Sequence, residues 1–261
     1  MEKKKGLLRK CMVVLAMGML MAMLCGMSAS AATKTYSIKA GKLYANPNSG
    51  TTYHKITIKK AGYIGIQAYS VTSSGSKASI QIGLLNSSKK PLEKYYRNLS
   101  SSSGYVAYYG VKKGTYYIAT KSNYGYRLKY AFGAITESSG SSKSSAKVIS
   151  QGVTRNGTVP IGESGKKSDW YKIRIVNKSS FNLSVKTLTN GGDLVIQVQI
   201  PKWNLNKKYV CSSGDSWTRT YRITNQSGAA TGSKITAMAY IRVYRKSNYS
   251  ATSGAYSLKW T

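Results

Sequence analysis

The chain has 261 residues, with 40 lysines and arginines against 7 acids, a formal charge of +33 and a single histidine. One histidine and so few carboxylates leave little material for general acid–base or metal-dependent catalysis, and three cysteines are too few for a disulfide framework. A charge of this size bears on solubility and partners rather than on fold.

Residues 1–31 read as an export signal. Lys3, Lys4, Lys5, Arg9 and Lys10 precede an apolar run over 11–27, and Ser28-Ala29-Ser30-Ala31 follows. A basic region, an apolar core and small residues at a cleavage point stand in the order of a secretory precursor, with cleavage expected after Ala31. The protein is then secreted or attached to a bacterial cell surface, and it touches the membrane only through this signal. Retained, the same segment would act as an anchor. Five basic residues and one acid leave with it, taking the formal charge from +33 to +29. Cys11 and Cys25 leave too, so Cys211 is expected as a small buried hydrophobe in a strand.

From there on, apolar residues alternate with polar ones in short runs. Strands are predicted over 34–45 with a bend at Gly41, and over 53–58, 63–68, 79–85, 105–109, 116–120 and 126–132. Gly62, the serines of 72–76 and the segment 86–91 supply the breaks. The segment 136–147 is serine-rich and lacks any large apolar residue, which predicts a flexible linker. Beyond it, Tyr171, Ile173 and Ile175 form one alternating row, Phe181, Leu183 and Val185 a second, and Leu194, Ile196, Val198 and Ile200 a third. Ile235, Ala237, Ala239, Ile241 and Val243 make one face of a later strand, with Arg242 and Tyr244 on the other, and Tyr256, Leu258 and Trp260 face the core as the chain ends.

The second half repeats the first. A shift of 117 residues lays His54-Lys55-Ile56-Thr57-Ile58 on Tyr171-Lys172-Ile173-Arg174-Ile175, and Ile64, Ile66 and Ala68 on Phe181, Leu183 and Val185. Lys121-Ser122-Asn123-Tyr124 returns as Lys246-Ser247-Asn248-Tyr249. Inward positions stay apolar while loop lengths drift, as two cores of one topology require. The expected architecture is therefore all-β: a signal over 1–31, tandem jelly-roll or Greek-key-like β-sandwiches over 32–135 and 148–261, and a linker over 136–147.

Asp169-Trp170-Tyr171-Lys172-Ile173, Gly192-Asp193-Leu194-Val195-Ile196, Ala239-Tyr240-Ile241-Arg242-Val243 and Gly254-Ala255-Tyr256-Ser257-Leu258 resemble strand motifs of the bacterial pre-peptidase C-terminal domain family, with echoes at Gly114-Thr115-Tyr116-Tyr117-Ile118 and Tyr126-Arg127-Leu128. The resemblance implies an extracellular, non-catalytic accessory module associated with secretion, substrate engagement or surface attachment. Some relatives bind calcium through acids at the strand starts. Here that would fall to Asp169 and Asp193 in the second half, whereas the first has Thr52, Ala78 and Ser79 at those places. A calcium site needs several oxygen ligands together, which only the second half begins to offer, and no other cofactor or metal is expected.

No catalytic arrangement emerges. His54 takes an inward strand position whose repeat counterpart is Tyr171, and no acid lies near it in sequence. Among Glu93, Glu137, Glu163, Asp169, Asp193 and Asp215 no pair stands out, since Glu137 lies in the linker, Glu163 in a turn, and Asp169 and Asp193 at repeat positions. The basic, tyrosine-rich surface remains. Lys55, Lys59, Arg127, Lys129, Lys172, Arg174, Arg242 and Lys259 point outward, and Trp217-Thr218-Arg219-Thr220-Tyr221-Arg222 alternates rings with cations. Rings stack on sugars and cations pair with phosphate or carboxylate. The candidate ligand-binding residues are Trp217, Arg219, Tyr221, Arg242, Tyr244, Lys172 and Arg174. The expected partner is an anionic cell-wall polymer or glycan, with an extracellular protein as the alternative and no specific nucleic acid.

Overall fold

The computed structural model describes residues 34–93, 97–99, 106–163, 167–190, 193–211, 214–225, 234–246 and 252–261. The export signal expected over 1–31, with Cys11 and Cys25, lies outside the described residues, as do Tyr105, Gly192 and Ser247-Asn248-Tyr249. Among the described residues no helix is long and apolar enough to cross a membrane.

The chain is built of strands. In the first half these are β1 (Thr35–Ser37), β2 (Leu43–Asn46), β3 (Gly50–Ile58), β4 (Gly62–Val71), β5 (Lys77–Ala78), β6 (Ile80–Leu85), β7 (Arg97–Leu99), β8 (Ala107–Val111), β9 (Gly114–Ser122) and β10 (Gly125–Ala134). In the second they are β11 (Lys147–Val148), β12 (Arg155–Val159), β13 (Ser168–Lys178), β14 (Ser180–Asn190), β15 (Leu194–Ile200), β16 (Leu205–Cys211), β17 (Gly214–Thr224), β18 (Ile235–Arg245) and β19 (Ser253–Trp260).

Each half is a two-sheet sandwich, and the two share one strand order. The order β1-β3-β9-β6-β7 in the first half matches β11-β13-β18-β15-β16 in the second. The partner sheet runs β2-β10-β4, with β8 also on β4, and is matched by β12-β19-β14-β17. Even the parallel entry is repeated, β1 beside β3 and β11 beside β13, in otherwise antiparallel sheets. The added element in the first half is the two-residue β5 on the edge of β4.

Period-two alternation drives this. Tyr171, Ile173 and Ile175 of β13, Ile196 and Val198 of β15, and Ala239 and Ile241 of β18 point between the sheets and are fully buried. Ile56, Ile64, Ile66, Ile82, Ile118 and Leu128 do the same in the first half. Burying each large aliphatic side chain is worth about 1.5–3 kcal/mol, so a one-residue register slip that turned such a row to solvent would undo its sheet. Trp203, on a short 3₁₀ turn over Pro201–Trp203, closes the second core and packs 6.1 Å from Phe181, ring to ring.

The segment 136–147, expected as a flexible linker, is instead tied down. Gly140 and Trp170 exchange two backbone hydrogen bonds, of 2.9 and 2.8 Å, and Ala146 is buried. Its serines supply the local partners that a core would otherwise provide: the Ser142 hydroxyl lies 2.9 Å from those of both Ser144 and Ser145. The halves also touch directly, through β8 and β4 on one side and β12, β14 and β19 on the other. The sheets holding these strands are called inner here, and the other two outer. The seam is tight: the Gly110 carbonyl accepts from the Ile161 amide at 2.9 Å, and a Cβ at Gly110 would collide with the carbonyl oxygens of Val159 and Gly254. Only glycine permits that approach.

Candidate functional site

The outward face of the second outer sheet gathers rings and cations in register. One rung runs Trp170–Arg242–Gln197–Lys208, the next Lys172–Tyr240–Gln199–Asn206, and Ser168–Tyr244–Val195–Val210 flanks them on the other side. All belong to the strands that bury the core on their opposite face, so a rigid sheet fixes their spacing. The Arg242 guanidinium sits 4.3 Å from the ring centroid of Tyr244 and 5.5 Å from that of Trp170, and its Nε donates to Ser168 Oγ at 2.8 Å. Lys143 of the connecting segment places its ammonium 4.7 Å over Tyr240. Cations within about 6 Å of a ring face are attracted to it, which holds both in place. None of the residues on these rungs is acidic.

This face collects four of the seven candidates, Lys172, Arg174, Arg242 and Tyr244. It adds Trp170 and Tyr240, each two residues from a candidate on its own strand and so visible to the same alternation. Lys143 carried no such signal, because the backbone pairing of Gly140 with Trp170 brings it there. The other three candidates lie elsewhere, on β17 at the edge of the inner sheet. Tyr221 stands opposite Leu183 on the core side, and its ring lies 3.9 Å from that of Tyr209. Arg219 is exposed beside it, opposite Val185, and Trp217 pairs in register with Thr187, its side chain lying outside those described. Tyr221 thus closes the open edge of the sandwich and is half-buried there.

The carboxylates are not scattered. Glu137 and Asp169, assigned from sequence to unrelated roles, come together. Ser139 Oγ donates to Asp169 Oδ1 at 3.0 Å and lies 3.4 Å from Glu137 Oε1. Tyr256 donates to Asp169 Oδ2 at 2.6 Å, and Thr158 to Glu137 Oε2 at 3.3 Å. The Ser139 hydroxyl thus stands between the two carboxyls. Burial, with the Asp169 charge adding to it, pushes Glu137 up to about 7, and burial raises Asp169 as well. Tyr256 reaches Asp169 because position 157 is glycine: a Cβ there would strike the tyrosine ring. The pair lines a cleft of about 740 Å³ with Lys112, Glu163 and Lys167. Glu163 bridges the halves, 2.7 Å from Lys112 and 2.8 Å from Lys167, and although burial alone would raise its carboxyl, these lysines hold it below the ordinary value. Buried Arg245 fixes the turn that presents it, donating to the carbonyls of Pro160, Glu163 and Thr252. With every oxygen of the pair engaged by a neighbour, the geometry suits a clasp.

His54 is buried, with Nε2 2.7 Å from the Tyr126 hydroxyl, and burial lowers its pKa to about 4. It stands in the first half where Tyr171 stands in the second, 2.9 Å from Tyr256. Cys211 is buried and unbonded to sulfur, its thiol pushed up to about 12 by burial. The calcium candidates do not converge on a metal site: Asp169 is held by Tyr256 and Ser139, Asp193 by Lys246 at 3.1 Å, and the described residues hold no group of three or more His, Cys, Asp or Glu that could bind a metal.

Fold and site together define an all-β chain of paired sandwiches with a cationic, aromatic outer face. No protein-family model matches the chain, and comparison with curated proteins yields no match. Among solved structures it is similar to the pre-peptidase C-terminal domain of a collagenase from Bacillus anthracis, at 17% identity over 44% of this chain and 94% of that one, with a TM-score of 0.30. It is also similar to the N-terminal CBM22-1–CBM22-2 tandem domain of Xyn10C from Paenibacillus barcinonensis, at 8% identity over 86% of this chain and 98% of that one, TM-score 0.26. A third is the extracellular domain of ANXUR2 from Arabidopsis thaliana, at 8% identity over 85% and 88%, TM-score 0.26.

Proposed function

We propose that this is an exported, non-catalytic binding protein, made of two sandwiches of the pre-peptidase C-terminal type, that holds an anionic glycopolymer of the cell envelope on the outer face of its second half. The observation that carries the reading is Arg242 stacked between Tyr244 and Trp170, with Lys172 and Lys143 beside Tyr240. Flat rings accept the apolar faces of sugars, while a guanidinium already held by two rings pairs with carboxylate or phosphate at little further ordering cost. The formal +29 that remains once residues 1–31 are removed supplies long-range attraction for such a polymer.

Retention on an immobilised acidic polysaccharide tests this. Binding should fall steeply between 0.1 and 1 M salt, as the screening length shrinks from about 10 Å to about 3 Å. It should also fall when Trp170 and Tyr240 are replaced by alanine. Salt-insensitive retention, or retention indifferent to both rings, would reject the reading. A second reading, a protein partner, draws on exposed Val148, Val176 and Val210, at 52, 54 and 42% exposure on the same sheet. Salt-insensitive recovery of one defined protein that competes for this face would favour it.

A further inference from the structure

The outer face of the first half carries the same chemistry on different residues. Tyr53, Ala119 and Gly83 occupy the rung that Trp170, Arg242 and Gln197 occupy in the second half. Lys55 and Tyr117 take the next rung, where Lys172 and Tyr240 stand. Both aromatic positions and the lysine beside them are kept, but the arginine position holds alanine.

The cation returns from another element. Lys89 places its Nζ 4.9 Å from the Tyr53 ring centroid and 5.3 Å from that of Tyr117. One ammonium thereby stands over both ring positions that Arg242 and Lys143 cover separately in the second half. It arrives from the turn over 86–90, whose shape is set by Asn86 Oδ1 accepting from the amides of Ser88 and Lys90 at 2.9 and 3.0 Å. Lys89 itself sits at φ +57°, in the left-handed region that favours glycine, and donates to Thr35 Oγ1 at 3.1 Å. A lysine kept in that conformation and aimed across two rings is unexpected of a loop that only connects strands. Loss of charge at one strand position and its supply from a neighbouring turn at the same place fit a ligand that demands a cation over the rings.

We infer that the face formed by Tyr53, Lys55, Lys89 and Tyr117 is a second site for the same class of ligand, an anionic glycopolymer, so that one chain holds two sites. The inference rests on the reading proposed for the second half. The occupant is fixed by complementarity: sugar rings on the two tyrosines, carboxylate or phosphate at the two lysines. The strands that meet between the halves belong to the inner sheets, and Lys55 and Lys89 stay exposed on the outer face of the first half. Two sites on one rigid chain turn the second contact with a long polymer into an intramolecular event, with a gain on the order of 10²–10⁴ over a single site.

The experiment is a calorimetric titration of the full exported chain with a short galacturonate oligosaccharide, paired with binding to long polygalacturonate and to inorganic polyphosphate. Two oligosaccharide sites per chain are expected, falling to one with Tyr53→Ala/Tyr117→Ala and to one with Trp170→Ala/Tyr240→Ala. On the long polymer either variant should lose about 10²-fold or more. Because the tyrosines are half-buried, Lys55→Glu/Lys89→Ala serves as the surface counterpart and should also leave one site. A stoichiometry of one that survives the first-half variants and vanishes with the second-half ones would overturn this inference and leave the parent reading standing. Absence of any binding to the sugar, or equal affinity for polyphosphate, would remove both, since charge alone would then account for the surface.

Discussion

Glu137 reaches out of the segment joining the two sandwiches and shares the Ser139 hydroxyl with Asp169 on β13. Burial, with the Asp169 charge beside it, raises Glu137 to about 7, so the folded state keeps a proton that the unfolded chain releases near the ordinary carboxyl value of 4.5. By linkage, stability from this pair is complete below pH 4.5 and is lost as pH rises through about 7. Part of Glu137 remains in solvent, which keeps the effect modest. Melting temperature measured from pH 5 to 8 should decline, and Glu137→Gln, which supplies a permanent donor, should flatten that limb. An unchanged slope in the variant would show the clasp to be inert.

His54 gives the opposite slope. Its pKa of about 4 in the folded state lies below the ordinary 6.5, so stability is present above pH 6.5 and is lost as pH falls toward 4. The difference corresponds to on the order of 3 kcal/mol, read by denaturant titration at pH 4.5 and 7. His54→Tyr installs the ring that the second half carries at Tyr171 and should abolish this acid limb. Retention of the limb would move its origin to another group.

Gly110→Ala should destabilise the chain by about 1–3 kcal/mol, because the added methyl must push apart backbone that is packed across the seam. Gly114→Ala is the control, since its Cβ would meet nothing closer than 3.5 Å, in the ring of Tyr116. Equal losses in the two, measured by chemical denaturation, would argue against a tight seam.

Arg242→Lys retains charge but not a planar group between Tyr244 and Trp170. Affinity for an acidic polysaccharide should drop by roughly tenfold, the loss expected for about 1.4 kcal/mol of stacking and paired hydrogen bonding, while the salt dependence stays close to that of the parent. A lysine variant that binds as well as the parent would reduce Arg242 to a point charge.

The strands, their inward rows and the duplication were legible because alternation of Ile, Val and Tyr with polar residues reports directly on a half-buried sheet. So were the inward place of His54 and the outward place of Lys172, Arg174, Arg242 and Tyr244. What escaped depends on chain reversals. Nothing in a serine-rich run signals that Gly140 will pair with Trp170, and without that pairing neither Lys143 over Tyr240 nor Glu137 against Asp169 can be foreseen. Tyr221 alternates like a surface residue, yet β17 lies at an edge where its ring meets Tyr209. β7 and β11 are too short to carry a period of their own.

The join between the sandwiches is not self-complementary. On one side it uses β8, whose counterpart in the other half is β17, and on the other it uses β19, whose counterpart is β10. A head-to-tail contact of this kind does not close on itself, whereas a two-fold one would. The second half cannot offer the same surface in turn: on β17, Thr224 opposite Ser180 stands where β8 has Gly110 opposite Tyr63, so a further sandwich would meet a side chain where this one meets bare backbone.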